Sequence, residues 1–154
     1  MADTAHRHIG FLTKAEDFAT AAEACIDRTG MLENYSLVGY YLMGHSIELA
    51  LKSYLLRSRY TDKQLKRIGH DLRACLDTTI AAKIDPSLLL PNCDQCVDLL
   101  NDYYSRKELE YYSRPGLLTL PTRADLKQVV SHLLRGLKAQ YVAELRTVPK
   151  QNVT

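Results

Sequence analysis

Between Tyr41 and Lys52, four side chains able to hold an anion or move a proton recur at intervals of three or four residues: Tyr41, His45, Glu48 and Lys52. In a helix each residue turns the chain by about 100°, so this spacing aligns all four in one stripe. With the His70-Asp71 pair further on, such a stripe could form a nucleotide or phosphate pocket. Lys52 would be the phosphate partner, the histidines donors, and Glu48 the group that orients them. The same residues also have a purely architectural use. Glu48 and Lys52 at i,i+4, sealed among helices and answered by His70 or by a backbone group of its turn, would fix helix register and bind nothing.

A second group lies downstream, where Tyr103-Tyr104-Ser105-Arg106 recurs eight residues later as Tyr111-Tyr112-Ser113-Arg114. Aromatic pairs beside Arg106, Lys107 and Arg114 suit stacking on exposed bases with phosphate contacts. Tyr112 and Arg114 therefore join Tyr41, His45, Glu48, Lys52, His70 and Asp71 as candidate binding residues. Against this stand Glu108 and Glu110 in the same segment, and the common use of tyrosines to pack a loop onto a bundle. No catalytic residue, metal ligand or cofactor is assigned. Cys93-Asp94-Gln95-Cys96 has redox-motif spacing, but a thioredoxin-type site needs a preceding strand and a zinc site two further ligands, and the sequence offers neither. His45-x-x-Glu48 reverses the order a di-iron bundle uses and occurs once. There is no glycine-rich phosphate loop, nucleophile elbow or metalloprotease motif.

The element that must carry the stripe is the run Tyr35 to Arg59, apolar on nearly every side. Ser36, Tyr40, Met43, Ile47, Ala50 and Tyr54 share one face, and Val38, Leu42, Leu49 and Leu56 the opposite one. A helix apolar on both faces belongs at the centre of a bundle. Asn34 is its expected cap, and it should end near Tyr60, where RSRYTDKQLKR turns fully polar. Before it, residues 1–12 read as a loose arm. Thr13 with Glu16 has capping-box spacing for a first helix stopped at Gly30. After it, Asp71 caps a third helix ending near Lys83, and a fourth runs from about Asn92 to Tyr104. Pro115, Gly116 and Pro121 close a partly ordered excursion. Thr122 with Asp125 opens the last helix, in which Leu126, Val129, Val130, Leu133, Leu134, Leu137, Tyr141 and Leu145 keep step. Residues 148–154 read as a loose tail. No strand-like alternation occurs, so the expected fold is all-α, an antiparallel up-and-down bundle of four to five helices over residues 13–147.

At 154 residues the chain suits one domain with one core. Four cysteines and no charged-then-apolar leader point to a cytoplasmic protein with reduced thiols, and no apolar run approaches the roughly 20 residues of a membrane span. The net charge of +2 conceals segregation: Lys and Arg against Asp and Glu number 3 to 7 in residues 1–51, 7 to 2 in 52–73, 4 to 7 in 74–121 and 6 to 2 in 122–154. Basic blocks suit a phosphate-bearing partner, and alternating blocks equally suit docking of copies in a homodimer.

Three short motifs carry a resemblance: GHSIELALKSYLL at Gly44 to Leu56, GHDL at Gly69 to Leu72, and LNDYY at Leu100 to Tyr104 followed by Arg114-Pro115. With their spacing they look like the bacterial branch of the HEPN superfamily, higher eukaryotes and prokaryotes nucleotide-binding, over roughly residues 15–145. The resemblance implies a compact helical bundle, often a homodimer, among nucleotide- and RNA-associated modules. Some of these are toxin ribonucleases paired with a nucleotidyltransferase-type antitoxin protein, in stress or phage-defence settings. The ribonucleases carry an Arg followed four to six residues later by a His. Here Arg28 stands sixteen intervening residues before His45, Arg67 two before His70 and Arg123 eight before His132, while His6 has no upstream Arg and Arg7 adjoins His8. That spacing is missing, so a binding module is expected. A divergent ribonuclease using His45, Glu48, His70 and Arg114, or a purely structural homodimerisation domain, are the alternatives.

Overall fold

In the computed structural model, residues 6–28, 37–109 and 119–147 are described, and among them every regular element is helical. The order is α1 (Arg7–Arg28), α2 (Leu37–Arg57), α3 (Asp62–Ile68), α4 (Leu72–Ala81), a 3-10 turn at Pro86–Leu88, α5 (Cys93–Tyr104) and α6 (Arg123–Thr147). The all-α expectation is met, with six α-helices among the described residues where four to five were expected.

The additional one is α3. The polar string after α2 offers it only Leu65 as a buried residue, but Thr61 and Gln64 form a reciprocal capping box that nucleates it. Leu65 N–H bonds to Thr61 O at 3.0 Å, and the helix closes at Gly69, whose φ of +63° strongly favours glycine. The loose arm is corrected over residues 7–12, while residues 1–5 lie outside the described residues. α1 begins at Arg7, and Thr13 is a mid-helix residue whose hydroxyl donates to Ile9 O at 3.1 Å. Leu12, Ala15, Ala19 and Ala22 form one buried stripe, so the apolar period starts before the apparent cap. Gly30, Asn34, Tyr35, Ser36, the Tyr111–Pro115 stretch, Gly116 and the 148–154 tail lie outside the described residues.

α2 occupies the centre, as its two apolar faces require. Tyr40, Met43, Ile47, Leu51 and Leu55 are essentially inaccessible, each worth on the order of 1.5–3 kcal/mol of burial. The opposite face is shallower: Leu42, Leu49 and Leu56 are half-buried and Val38 is exposed. α1 lies antiparallel to α2, since Ser46 Oγ donates to Ala15 O and Ser53 Oγ to His8 O, both at 2.7 Å. α6 runs with α2: Tyr40 hydroxyl reaches Pro121 O at 2.7 Å at one end, and Ser53 meets Tyr141 hydroxyl at 3.0 Å toward the other. Leu126 through Tyr141 pack inward as the period requires, while Leu145 is half exposed near the helix end. α4 also follows α2, from His70 beside Glu48 to Ala82 O beside Tyr54 hydroxyl, because α3 has already turned the chain back. α5 then returns antiparallel to α4, pairing Asn101 with Asp71 and Asp94 with Arg73.

Candidate functional site

Glu48 sits on the second turn of α2's polar stripe, its side chain 3% exposed. Lys52 Nζ, one turn on, donates to Glu48 Oε1 at 2.6 Å and to Gly69 O at 2.7 Å. Tyr104 hydroxyl, at the end of α5, donates to Glu48 Oε2 at 2.6 Å, and His70 Nδ1, in the α3–α4 turn, donates to the same oxygen at 3.0 Å. Three segments distant in sequence therefore meet on one carboxylate.

The proton positions follow from the inventory of donors. Burial alone would raise the Glu48 pKa. Bonds from His45, Lys52, Tyr104 and His70 outweigh it and hold the carboxyl well below the usual range, so it is an acceptor only. His70 must then carry its proton on Nδ1, which leaves Nε2 on the opposite edge of a ring that is 54% exposed. The single hydroxyl proton of Tyr104 is committed to Glu48, so its oxygen accepts from His45 Nδ1, 3.0 Å away. His45 Nδ1 also lies 3.7 Å from Glu48 Oε2. Its ring is fixed on both sides, edge-on to Phe18 at 4.5 Å and stacked with Tyr41 at 6.1 Å between centroids. Tyr41 in turn stacks with Tyr104 at 5.9 Å.

Local backbone makes these approaches possible. Gly44 faces the Tyr104 ring so closely that a Cβ would lie 2.7 Å from Cδ2, so only glycine admits the ring at that depth. Gly69 takes a positive φ and presents its carbonyl to Lys52. Asp71 does not join the Glu48 group. Its Oδ1 caps α4 by accepting from Ala74 N–H at 2.9 Å and also accepts from Asn101 Nδ2 at 3.1 Å. Asn101 Oδ1 takes the Leu72 N–H at 2.8 Å, so Asp71 and Asn101 clamp the start of α4 to α5.

Of the candidate residues, His45, Glu48, Lys52 and His70 come together, Tyr41 stacks over them, Asp71 is a cap, and Tyr112 and Arg114 lie outside the described residues. Tyr104 is the central residue that reasoning from the stripe passed over. It stands 56 positions from Glu48, and its membership of the LNDYY motif was the only signal. Beyond the buried group, Lys63, Lys66 and Arg67 on α3 and Arg106 and Lys107 after α5 are all exposed. Cys93 and Cys96 are buried free thiols at the start of α5, and burial pushes Cys93 up to about 11 and raises Cys96. A thiol raised in this way is a poorer nucleophile than a free one. Among the described residues no helix is long and apolar enough to cross a membrane. No family model matches the chain, and neither a curated protein nor a solved structure matches it.

Proposed function

We propose that this chain is an HEPN-like binding module, homodimeric, that engages a phosphate-bearing ligand, a nucleotide or RNA, on the face where His70 reaches solvent. A toxin–antitoxin, stress or phage-defence setting, with a nucleotidyltransferase-type antitoxin as protein partner, belongs to the same reading and rests on the resemblance alone. The observation that carries it is convergence: all three motifs behind the resemblance supply groups to one network. His45, Glu48 and Lys52 come from the first, Gly69 and His70 from the second, and Tyr104 from the third. The network fixes the His70 ring by one nitrogen and leaves the other for a ligand, in the turn that follows the exposed cations of α3.

The test is binding of a labelled single-stranded RNA and of a nucleoside triphosphate at two ionic strengths. Binding should weaken by at least tenfold between 50 and 200 mM salt if several phosphates are contacted. Lys66→Gln with Arg67→Gln, both exposed, should reduce affinity several-fold with the melting temperature unchanged, and His70→Ala should do so with only a small loss of stability. Affinity insensitive to salt and to these changes would remove the proposal. Cleavage of the RNA abolished by His70→Ala would favour the divergent ribonuclease instead. A structural reading has its own support, since Lys52, His70 and Tyr104 already engage Glu48 from within the chain. Under it, none of these ligands binds and only stability responds.

A further inference from the structure

A second feature lies away from Glu48, where the start of α1, the end of α2 and the start of α3 enclose a cleft of about 670 Å³. That volume falls in the range of small-molecule sites. Its lining sets three guanidinium groups, Arg7, Arg57 and Arg59, against one carboxylate, Asp62, with Tyr60 and His8 as aromatic walls. Two of the cations are already held. Arg7 binds both oxygens of Asp62 at 2.8 and 3.2 Å, and Arg57 is fixed by Glu144 of α6 through Nε at 2.9 Å and a second bond from Nη2. The carboxylates thus use only part of each guanidinium's donor set. Arg59 has no ion pair among the described residues and is exposed at the rim.

The backbone at Arg59 closes α2 with a turn that the chain repeats at Lys83 after α4 and at Lys107 after α5. Tyr60 N–H bonds to Leu55 O at 2.9 Å and Arg59 N–H to Leu56 O at 3.0 Å, the paired bonds of a Schellman closure. The residue just past the helix needs a positive φ, where glycine is common, and here Arg59 takes φ +68°, as Lys83 and Lys107 do at the ends of α4 and α5. Stability of the turn does not ask for arginine. What sets Arg59 apart is its place: an exposed cation with no ion pair among the described residues, at the mouth of a cleft whose other cations are already paired, has its donors open to a ligand.

We propose that this cleft binds a phosphorylated small molecule, its phosphate taken by Arg59 and the spare donors of Arg57 and its organic part laid against Tyr60. Arg is suited to this because its planar donors match phosphate oxygens two at a time. The site does not depend on the Glu48 network or on the RNA reading above.

Arg59→Gly is the discriminating variant, because it removes the cation while relieving the backbone. Its melting temperature should equal or exceed that of the parent. Titration calorimetry with phenyl phosphate, inorganic phosphate and benzyl alcohol should show phenyl phosphate binding best, with inorganic phosphate weaker and the alcohol undetected. Arg59→Gly should weaken phenyl phosphate at least tenfold, and Arg59→Lys should retain part of the affinity. The proposal is overturned if phenyl phosphate does not bind at millimolar concentration, or if Arg59→Gly binds it as well as the parent. It is equally overturned if a short RNA, and not phenyl phosphate, shows the Arg59 dependence, since the surface would then be a nucleic-acid contact. Loss of affinity here with RNA binding at His70 intact would separate the two sites.

Discussion

Two charge clusters of similar size sit near the start of α4. At one end Glu48, a single anion, takes bonds from Lys52, Tyr104 and His70. Along the outer face Arg73, a single cation, is held by Asp77, Asp94 and Asp98. Each joins α4 or the turn before it to α5, and each has three partners. They differ in solvent access. The side chain of Glu48 is 3% exposed and that of Lys52 11%, whereas Arg73 is 29% exposed and its carboxylates 59–66%. Water can replace any partner of Arg73, whereas at Glu48 it can reach only the side where His70 stands, and Lys52 and Tyr104 are sealed in. Burial, and not the number of partners, should therefore set what each cluster is worth.

The sharpest way to break that comparison is Glu48→Gln. It leaves the Lys52 ammonium buried with only Gly69 O and a neutral amide, and should lower stability by about 3–5 kcal/mol in denaturant unfolding. The double replacement Glu48→Leu with Lys52→Met removes both charges and should recover much of the loss, because an apolar pair of similar volume avoids the desolvation cost. A loss below 1 kcal/mol for Glu48→Gln would mean that the group is open to water. Acid should act on the same link. The Glu48 carboxyl titrates below its ordinary value near 4.5 in the folded chain, so the stability it contributes is fully present above that pH. It is then lost progressively as pH falls toward the folded value. In Glu48→Gln the acid limb of a stability–pH profile should be shallower, and an unchanged slope would contradict the assignment.

Next in size are the two substitutions around Tyr104. Gly44→Ala would press a methyl against a ring tethered at its hydroxyl, which should cost about 1–3 kcal/mol, as overpacking does. Tyr104→Phe removes a hydrogen bond to a charged group and deprives His45 Nδ1 of its acceptor, for about 1.5–3 kcal/mol. The pair should be non-additive, since once the ring's bond to Glu48 is gone it is free to move away from the methyl. Additive losses by thermal unfolding would show that Gly44 acts on something other than this ring.

How much of this was legible in the sequence follows the same division between local and distant. The Glu48–Lys52 pair and the alignment of His45 with it are helix geometry, readable from spacing alone, as were α2, α4, α5 and α6 from their apolar period. α3 was missed because only one of its residues is buried, so its signal was the Thr61–Gln64 cap and not a period. The start of α1 was misplaced for the converse reason: Thr13 and Glu16 imitate a cap that the Leu12 and Ala15 burial overrides. Tyr104 and Gly69 O were hidden because no local rule says which of several tyrosines or carbonyls a fold brings back to a carboxylate. Asp71 was given two roles, the cap of α4 and a place in the pocket beside His70; the cap is what the structure shows, and that commitment keeps it out of the Glu48 group.

The smallest effect belongs to the exposed cluster and sharpens the comparison from the other side. Arg73 is bound to Asp77 through both Nε and Nη2, to Asp94 at 2.7 Å and to Asp98 at 3.4 Å. The bonds to Asp77 first, and then those to Asp94, raise its pKa, a shift without consequence for a group already charged at any physiological pH. Arg73→Ala would leave three solvated carboxylates, of which Asp94 also lies in the favourable first turn of α5. The loss should stay under about 1 kcal/mol and shrink further in 0.5 M salt, whereas the Glu48→Gln loss should be nearly independent of salt. If Arg73→Ala proved as damaging as Glu48→Gln, and equally indifferent to salt, then the Asp77–Asp94–Asp98 face would have to be covered in the working protein. A second copy of the chain or another partner would then lie over the outer surface of α4 and α5.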